Sequence, residues 1–297
     1  MAEERISGTV AAAVTPLCDG GDRLDLAALE PLVEFYAGSG LAGLLVLGTT
    51  GEGIMLEERE RRRVAEIATV AAGSLRVIVH SGAQTTAQTC RLAAHAAEAG
   101  AAGVAVIAPP YFNFAAQELA GHFAEAAAAC APLPFYVYEY ADRSGYSVPV
   151  AVVEEVRGRA TNLVGMKVSD APWDRVEPYL RTGLDVFIGA EALIAQGLEH
   201  GAVGAVSGAA GAFPEAVSGL VGDPTPERSE LVTSLRGVLS EHPFQASVKA
   251  ALGLRGLPVR PDVRAPLRPL SPAAAQRLEA ELERLLGAGA LARQLKA

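Results

Sequence analysis

A lysine near the end of a short apolar segment is the residue whose chemistry stands out first. The segment runs from Thr161 to Asp170 and contains Gly165-Met166-Lys167. The chain has only three lysines, and nearly all of its other positive charge is arginine. A lysine amine, unlike a guanidinium, loses its proton when it is desolvated and can then attack a carbonyl carbon. The pattern makes Lys167 a candidate nucleophile; the alternative is an ordinary strand end with its ammonium in water.

A second polar motif, Gly48-Thr49-Thr50-Gly51-Glu52, lies between an apolar segment and an amphipathic one. Its glycines allow a tight turn that directs backbone N–H groups and two hydroxyls at one point, which suits an anion. The glycine spacing differs from that of a P-loop and of a dinucleotide-binding loop. The motif predicts either an anion-binding turn or an ordinary strand–helix loop with a capped helix.

These motifs need a scaffold, and the chain has a regular alternation that predicts one. Eight short runs rich in Val, Ile and Leu alternate with longer amphipathic segments. The runs are Gly8–Val14, Gly43–Leu47, Arg76–His80, Gly103–Ile107, Phe135–Tyr138, Leu163–Lys167, Asp185–Ile188 and Gly204–Ser207. Runs that are apolar on both faces suit a parallel sheet covered by helices. Eight such units predict an α/β fold, a (β/α)₈ TIM barrel over residues 1–222. Residues 223–297 are predicted to form a C-terminal helical extension packed on the barrel.

The barrel also predicts where chemistry takes place, because active sites in this fold lie at the carboxyl ends of the strands. The polar residues at the predicted strand ends are Thr15, Thr49, Thr50, Ser81, Tyr111, Tyr138, Lys167, Glu191 and Ser207. The set is rich in hydroxyls, and Lys167 is its one cation. Such a ring suits imine chemistry, in which hydroxyls move protons and hold a carboxylate. A doubly wound open sheet is the main alternative, but the chain lacks that fold's glycine fingerprint after the first strand.

Composition excludes several classes of partner. The net charge is −9 and the pI is near 5.2, which argues against nucleic acid and anionic membranes. No apolar run reaches membrane-spanning length. The three cysteines, Cys18, Cys90 and Cys130, are far apart and have no metal-ligand spacing. We therefore expect a cytoplasmic protein without a metal site.

Several motifs, in the same order and at the same spacing, resemble the dihydrodipicolinate synthase / N-acetylneuraminate lyase family. The similarity spans nearly the whole chain. The motifs are Val14-Thr15-Pro16, the Gly48–Glu52 motif, Tyr138 at the fifth strand, Gly165-Met166-Lys167, Gly201–Gly208 and Val263–Leu270. The resemblance implies a Schiff-base (class I) aldolase or lyase that acts on pyruvate or a related 2-oxo acid and an aldehyde co-substrate. It also implies a homo-oligomer, either a tetramer or a dimer.

The resemblance assigns roles to individual residues. Lys167 matches the lysine that condenses with the keto group, and Tyr138 matches the tyrosine that relays protons. Thr49 and Thr50 match the pair that holds the oxo-acid carboxylate, with Thr49 also linking the tyrosines of the relay. Val206 falls where a backbone carbonyl lines the pyruvate site. A protonated imine is itself an electron sink, so no cofactor or metal is expected.

Two departures from the synthase pattern leave the reaction open. After the tyrosine strand the chain reads Glu139-Tyr140-Ala141-Asp142-Arg143-Ser144-Gly145. Arg143 and Gly145 keep the register of the synthase pattern, and Arg143 matches the arginine that binds the second substrate's carboxylate, whereas Glu139, Tyr140 and Ala141 depart from it. Arg143 could instead pair with Asp142 or another surface acid. Regular strand alternation predicts that Tyr138 and Tyr140 share one face and that Glu139 points the other way.

The second departure concerns the tyrosine that a neighbouring synthase subunit donates to the relay. Alignment on Pro110 puts Phe112 at that position, whereas alignment on the following helix puts Tyr111 there.

Three functions besides the general aldolase or lyase stay open. They are a genuine 4-hydroxy-tetrahydrodipicolinate synthase that uses pyruvate and aspartate semialdehyde, a sugar-acid dehydratase of the same family, and a non-catalytic 2-oxo-acid sensor.

Overall fold

A computed structural model of the chain describes residues 5–287, and its centre is a closed barrel of eight parallel strands. The strands are β1 Gly8–Ala12, β2 Gly43–Val46, β3 Arg76–His80, β4 Gly103–Ile107, β5 Phe135–Glu139, β6 Leu163–Val168, β7 Asp185–Ile188 and β8 Gly204–Ser207. Each strand pairs with its neighbours in chain order, and β8 closes the barrel on β1. The predicted (β/α)₈ barrel is confirmed.

The strands are buried on both faces because helices cover the outside and side chains fill the inside. One set of buried residues packs between the strands and the helices, and a smaller set fills the barrel interior. The interior set contains Val10, Leu45, Ile78, Tyr136 and Phe187 among others. The barrel is therefore a packed core between its two ends.

Helices follow the strands, and some strand–helix connections contain more than one. They are α1 Leu26–Ala37, α2 Glu58–Ala71, α3 Thr86–Glu98, α4 Ala116–Cys130, α5 Ala141–Ser144, α6 Val150–Arg159, α7 Glu177–Leu180, α8 Ile194–Glu199 and α9 Pro214–Gly222. A short antiparallel pair, Leu17–Cys18 with Arg23–Leu24, precedes α1.

Three further helices follow α9 and form the C-terminal extension: α10 Pro226–Ser240, α11 Phe244–Leu254 and α12 Pro272–Leu286. The predicted division after residue 222 falls at the end of α9. The extension is tied to the barrel by Arg255, whose guanidinium contacts the carbonyl of Ala212 and stacks on the Phe35 ring at 4.9 Å. Residues 1–4 and 288–297, including Lys296, lie outside the described part of the chain.

The strand boundaries differ from the predicted ones by one or two residues. Strand β1 ends at Ala12, and β2 ends at Val46 because Leu47 takes a left-handed conformation with φ 62°. Strands β5 and β6 each continue one residue further, since Glu139 pairs with Val168 in the parallel ladder. The hydrophobicity of a residue does not reveal whether its φ is positive, so the end of β2 could not be predicted from the sequence.

Candidate active site

A cavity of about 280 Å³ opens at the carboxyl ends of the barrel strands. Six of the seven residues predicted to form the site line it: Thr49, Thr50, Tyr138, Arg143, Lys167 and Val206. They come from four separate strand ends and meet because parallel strands end at one face. Tyr111, the seventh, does not line this cavity.

Lys167 and Tyr138 are side by side in the barrel wall. They are partners across the β5–β6 ladder, so their side chains leave the sheet on the same face. The Nζ atom of Lys167 lies 4.1 Å from the centroid of the Tyr138 ring. Lys167 is 7% exposed and Tyr138 is 1% exposed. The amine is therefore packed against an aromatic ring and reaches solvent only through the cavity.

The Tyr138 hydroxyl contacts the loop after β2. It lies 3.2 Å from Oγ1 of Thr49, and either oxygen can donate the hydrogen bond. Gln245 in α11 donates from Nε2 to the Thr49 carbonyl at 3.2 Å, which fixes the backbone that carries this hydroxyl. Thr15, at the end of β1, donates to the Gly51 carbonyl at 2.7 Å. The loop is thus held from two sides.

The turn itself depends on glycine. A Cβ on Gly53 would lie 1.8 Å from the Leu47 carbonyl oxygen, so no other residue fits without moving the backbone. Leu47 and Glu52 both have positive φ, 62° and 56°, which is uncommon for residues with side chains. The tight packing of this backbone against itself brings Thr49 and Thr50 to the cavity.

His80 supports the strained residue at the start of the turn. Its Nδ1 lies 3.0 Å from the Leu47 carbonyl, and its Nε2 lies 3.4 Å from the Ile107 N–H. Burial, with nearby Arg61 and Lys167, lowers the pKa of His80 to about 3. A neutral imidazole satisfies both contacts, donating from Nδ1 and accepting at Nε2. His80 does not line the cavity and acts as a buried structural histidine.

A buried ion pair connects the same turn to the C-terminal extension. Nζ of Lys249 in α11 lies 2.6 Å from Oε1 of Glu52, and neither side chain has exposed surface. The ammonium also donates to the Asp262 carbonyl at 2.5 Å, and Glu52 Oε2 accepts from the Arg264 N–H at 2.7 Å. Burial lowers the pKa of Lys249, and the Glu52 carboxylate opposes that change. This lysine is a structural anchor.

Glu139 points away from the cavity, whereas Tyr138 and Tyr140 both line it, as regular alternation predicts. Glu139 is fully buried, and its Oε2 accepts from the Val148 N–H at 2.9 Å. Burial raises the pKa of Glu139 to about 8; the Val148 hydrogen bond opposes that rise, and the neighbouring Asp170 carboxylate adds to it. Asp170 Oδ1 in turn accepts from the Ala141 N–H at 2.8 Å. The Glu139 carboxyl therefore holds the backbone at Val148, behind the site.

Arg143 lies in α5 at the edge of the cavity. Its guanidinium carbon is 5.3 Å from the centroid of the Tyr140 ring. Within residues 5–287 no carboxylate forms an ion pair with Arg143, so the alternative pairing with Asp142 is absent there. The guanidinium is available to a ligand in the cavity.

Tyr111 and Phe112 lie on the surface, 85% and 64% exposed. Their rings meet edge to face with centroids 4.8 Å apart, and Tyr111 has φ 89°. Neither reaches the cavity of its own chain. A role for either ring in catalysis would require a second subunit, as the resemblance implies.

The lining residues that sequence reasoning missed include Ser169, Arg236, Phe244 and Gln245. The last three come from α10 and α11, so the extension forms one wall of the cavity. No local pattern in those helices signals this, because they read as ordinary amphipathic segments. Ser169 follows β6 directly. Its position just after Lys167 and Val168 was the one sequence feature that could have placed it at the site.

Within residues 5–287, no group of three or more His, Cys, Asp or Glu side chains is arranged to hold a metal ion. No helix in that range has the length and apolar character needed to span a membrane.

The closed barrel, with a cavity at the carboxyl ends of its strands, makes this protein a (β/α)₈ barrel whose candidate site lies where barrel enzymes have theirs. The model of the dihydrodipicolinate synthetase family matches residues 5–285. The chain belongs to this family, as predicted, and it is a lyase.

Individual relatives agree with this assignment. An uncharacterised DapA-like lyase of Halobacterium salinarum is 34% identical over 93% of each chain. Among solved structures, dihydrodipicolinate synthase from Aquifex aeolicus is 28% identical, with a TM-score of 0.87 over 94% of this chain and 97% of the other. The chloride-inhibited dihydrodipicolinate synthase from Acinetobacter baumannii, solved in complex with pyruvate, is 25% identical, with a TM-score of 0.86 over 95% and 99%.

Proposed function

We propose that the protein is a class I aldolase or lyase that forms an imine between Lys167 and pyruvate or a related 2-oxo acid. One observation carries the proposal: the amine of a buried lysine packs on Tyr138, whose hydroxyl lies 3.2 Å from that of Thr49, in a cavity at the carboxyl ends of the barrel strands. The pyruvate complex of the Acinetobacter baumannii relative supports the choice of oxo acid.

The chemistry follows from these groups. The neutral amine of Lys167 attacks the keto carbon, and the oxygen takes a proton to give a carbinolamine. Loss of that oxygen as water forms the protonated imine, which draws electrons from the adjacent carbon. That carbon then gives up a proton and becomes an enamine nucleophile. Tyr138, in contact with Thr49, delivers and accepts protons at these steps.

The remaining residues hold the substrates. Thr50 and Thr49 bind the oxo-acid carboxylate, with the Val206 carbonyl lining the same position. The enamine attacks the carbonyl carbon of an aldehyde, and water then hydrolyses the imine to release the product and free Lys167. The reverse sequence cleaves the same bond. The imine supplies the electron sink, so this reaction requires no diffusible cofactor.

Arg143 favours an acceptor aldehyde that carries a carboxylate, because a guanidinium binds a carboxylate through two parallel hydrogen bonds. This observation keeps the genuine 4-hydroxy-tetrahydrodipicolinate synthase as the second candidate, with aspartate semialdehyde as acceptor. A sugar-acid dehydratase of the same family would use the same imine and remove water instead. A non-catalytic sensor would have no use for the Thr49–Tyr138 contact.

We also propose a cytoplasmic homo-oligomer, a dimer or a tetramer. The exposed Tyr111–Phe112 pair supports an interface at this surface, since two large aromatic side chains otherwise face water. The free thiols of Cys18, Cys90 and Cys130 fit a reducing compartment. Light scattering of the purified protein and of Tyr111→Ser/Phe112→Ser measures the assembly; a wild-type monomer would contradict the oligomer.

Borohydride reduction tests the imine. The protein with pyruvate and borohydride should gain one reduced adduct, located by peptide mass spectrometry on Lys167 and absent in Lys167→Arg. Lys249 serves as an internal control, because it is a second buried lysine that does not line the cavity. Pyruvate binding without an adduct would favour the sensor. Turnover with aspartate semialdehyde would identify the synthase.

A further inference from the structure

A second arginine, Arg236, lines the cavity together with Arg143 and Tyr140. Arg236 belongs to α10 in the C-terminal extension, whereas Arg143 belongs to α5 after β5. Both line the cavity with Tyr140. Burial raises the pKa of Tyr140, and the positive charges of Arg143 and Arg236 both oppose that rise. Two guanidiniums from distant parts of the chain therefore act on one phenol.

The Arg236 side chain is held in place along one edge. Its guanidinium carbon lies 3.9 Å from the centroid of the Phe244 ring, and its Nε lies 3.7 Å from Oε2 of Glu191. Gly208 leaves room for this arrangement, because a Cβ there would lie 3.2 Å from Nη1 of Arg236 and 2.8 Å from the Phe244 ring. Stacking on a ring orients a guanidinium and leaves its outer nitrogens for a ligand.

The charges around the cavity are unbalanced. Apart from Lys167, whose amine is the proposed nucleophile, its described lining contains two cations, Arg143 and Arg236, and one acid, Glu191. Glu191 accepts from the Ser207 hydroxyl at 2.8 Å and from the Ala209 N–H through Oε1, and within the described part of the chain its Oε2 contacts only the Nε edge of Arg236, at 3.7 Å. In a chain with a net charge of −9, a cationic cavity indicates anionic substrates. The oxo-acid carboxylate is assigned to Thr49 and Thr50. Arg143 then has no carboxylate partner among residues 5–287, and Arg236 meets Glu191 through Nε alone.

We propose that Arg236 and Arg143 together form a distal subsite for a terminal oxyanion, a carboxylate or a phosphate, on the second substrate. The inference deepens the proposed function and rests on it for the position of the first substrate. Arg236 then selects acceptors that carry a negative group at the end away from the aldehyde. Its fork geometry suits both oxyanions, and matched acceptors distinguish them.

Two pairs of acceptors test the selectivity with pyruvate as donor. Succinic semialdehyde and butanal differ in a terminal carboxylate, and glyceraldehyde 3-phosphate and glyceraldehyde differ in a phosphate. In wild-type protein at least one anionic acceptor should exceed its neutral partner in kcat/KM. Arg236→Gln should reduce that ratio about tenfold, the effect of one lost charge-assisted interaction. Arg236→Lys keeps the positive charge but not the two-pronged guanidinium geometry. Its anionic-to-neutral ratio of kcat/KM should lie between those of wild type and Arg236→Gln.

Arg228→Gln is the matched control, since Arg228 lies in the same helix and pairs with Asp223 away from the cavity. Circular dichroism shows whether each variant is folded. Equal losses for anionic and neutral acceptors, or a wild-type preference for neutral ones, would overturn the proposal while the borohydride adduct on Lys167 still supports the imine.

A binding measurement covers the case in which no imine forms. Calorimetric titration of the wild-type protein with inorganic phosphate and with succinate should show weaker binding of at least one of them in Arg236→Gln by about tenfold. Unchanged affinity for both anions would overturn the subsite independently of any turnover.

Discussion

The hydroxyl of Thr49 lies 3.2 Å from the hydroxyl of Tyr138, although 89 residues separate them in the chain. The contact joins the loop after β2 to the end of β5, next to the amine of Lys167. In the proposed reaction, a proton leaving the carbinolamine can pass along these two oxygens. Neither residue alone provides such a path.

We predict that Tyr138→Phe slows imine formation by about 10²–10⁴-fold, the usual contribution of a positioned proton donor. Thr49→Val should slow it in the same direction, and Thr49→Ser, which keeps the hydroxyl, should be closer to wild type. The rate of borohydride trapping with pyruvate measures this step without an acceptor. Trapping of Tyr138→Phe at the wild-type rate would remove the tyrosine from the mechanism.

The Glu52–Lys249 pair gives a prediction about stability. Lys249→Met leaves a buried carboxylate without its cation, which costs about 3–5 kcal/mol of unfolding free energy. The double variant Glu52→Gln/Lys249→Met should lose less than the single one, because no charge is then stranded. Urea unfolding measures both.

An exposed pair of the same length is the control. Arg181 and Glu177 also meet at 2.6 Å, but their side chains are 74% and 38% exposed. Arg181→Met should cost at most about 1 kcal/mol, since surface ion pairs contribute little. A similar loss of unfolding free energy in Lys249→Met and Arg181→Met would show that burial does not matter here.

Glu139 predicts a dependence of stability on pH. In the unfolded chain this carboxyl loses its proton near its ordinary pKa of 4.5, whereas in the folded protein it keeps it up to about 8. The unfolded state therefore holds fewer protons between these values, and the unfolding free energy should fall as pH rises by up to about 1.4 kcal/mol per pH unit. The contribution of the neutral Glu139 carboxyl to the unfolding free energy is fully present below pH 4.5 and is lost as pH rises toward 8.

Glu139→Gln should flatten this fall, so the variant gains on wild type as pH rises from 5 to 8. Urea unfolding at each pH measures the difference. Glu154→Gln, at an exposed position in α6, is the control and should follow the wild-type curve. Parallel curves for wild type and Glu139→Gln would refute the raised pKa.

Two glycines give a matched pair of substitutions. Gly53→Ala would set a Cβ 1.8 Å from the Leu47 carbonyl, so it should destabilise the protein by about 1–3 kcal/mol and lower activity by moving Thr49 and Thr50. Gly158→Ala, in α6 with open space around it, should stabilise by about 0.5–1 kcal/mol. Thermal unfolding ranks them; the reverse order would contradict the crowding at Gly53.

The barrel could be predicted because its strands are apolar on both faces and repeat eight times. Once the barrel is assumed, Lys167 and Tyr138 must be neighbours, since they end adjacent parallel strands. The outward position of Glu139 likewise follows from a period of two. These features depend on local pattern and on a fold with fixed strand order.

Other parts of the site could not be derived this way. Arg236, Phe244 and Gln245 reach the cavity because α10 and α11 fold back over the barrel mouth, a long-range packing that leaves no mark on their own periodicity. The Lys249–Glu52 pair joins residues 197 apart for the same reason. The surface position of Tyr111 follows from the course of a loop, which strand patterns do not specify.

The wall formed by α10 and α11 has a consequence for biosynthesis. The chain leaves the ribosome amino end first, so all eight strands emerge before the helices that carry Arg236, Gln245 and Lys249. A nascent barrel at that stage has Lys167 on an open, unfinished face, and the turn after β2 lacks the ammonium that neutralises Glu52. This wall of the pocket is added after the barrel strands, and a truncated chain that stops after β8 would lack the wall.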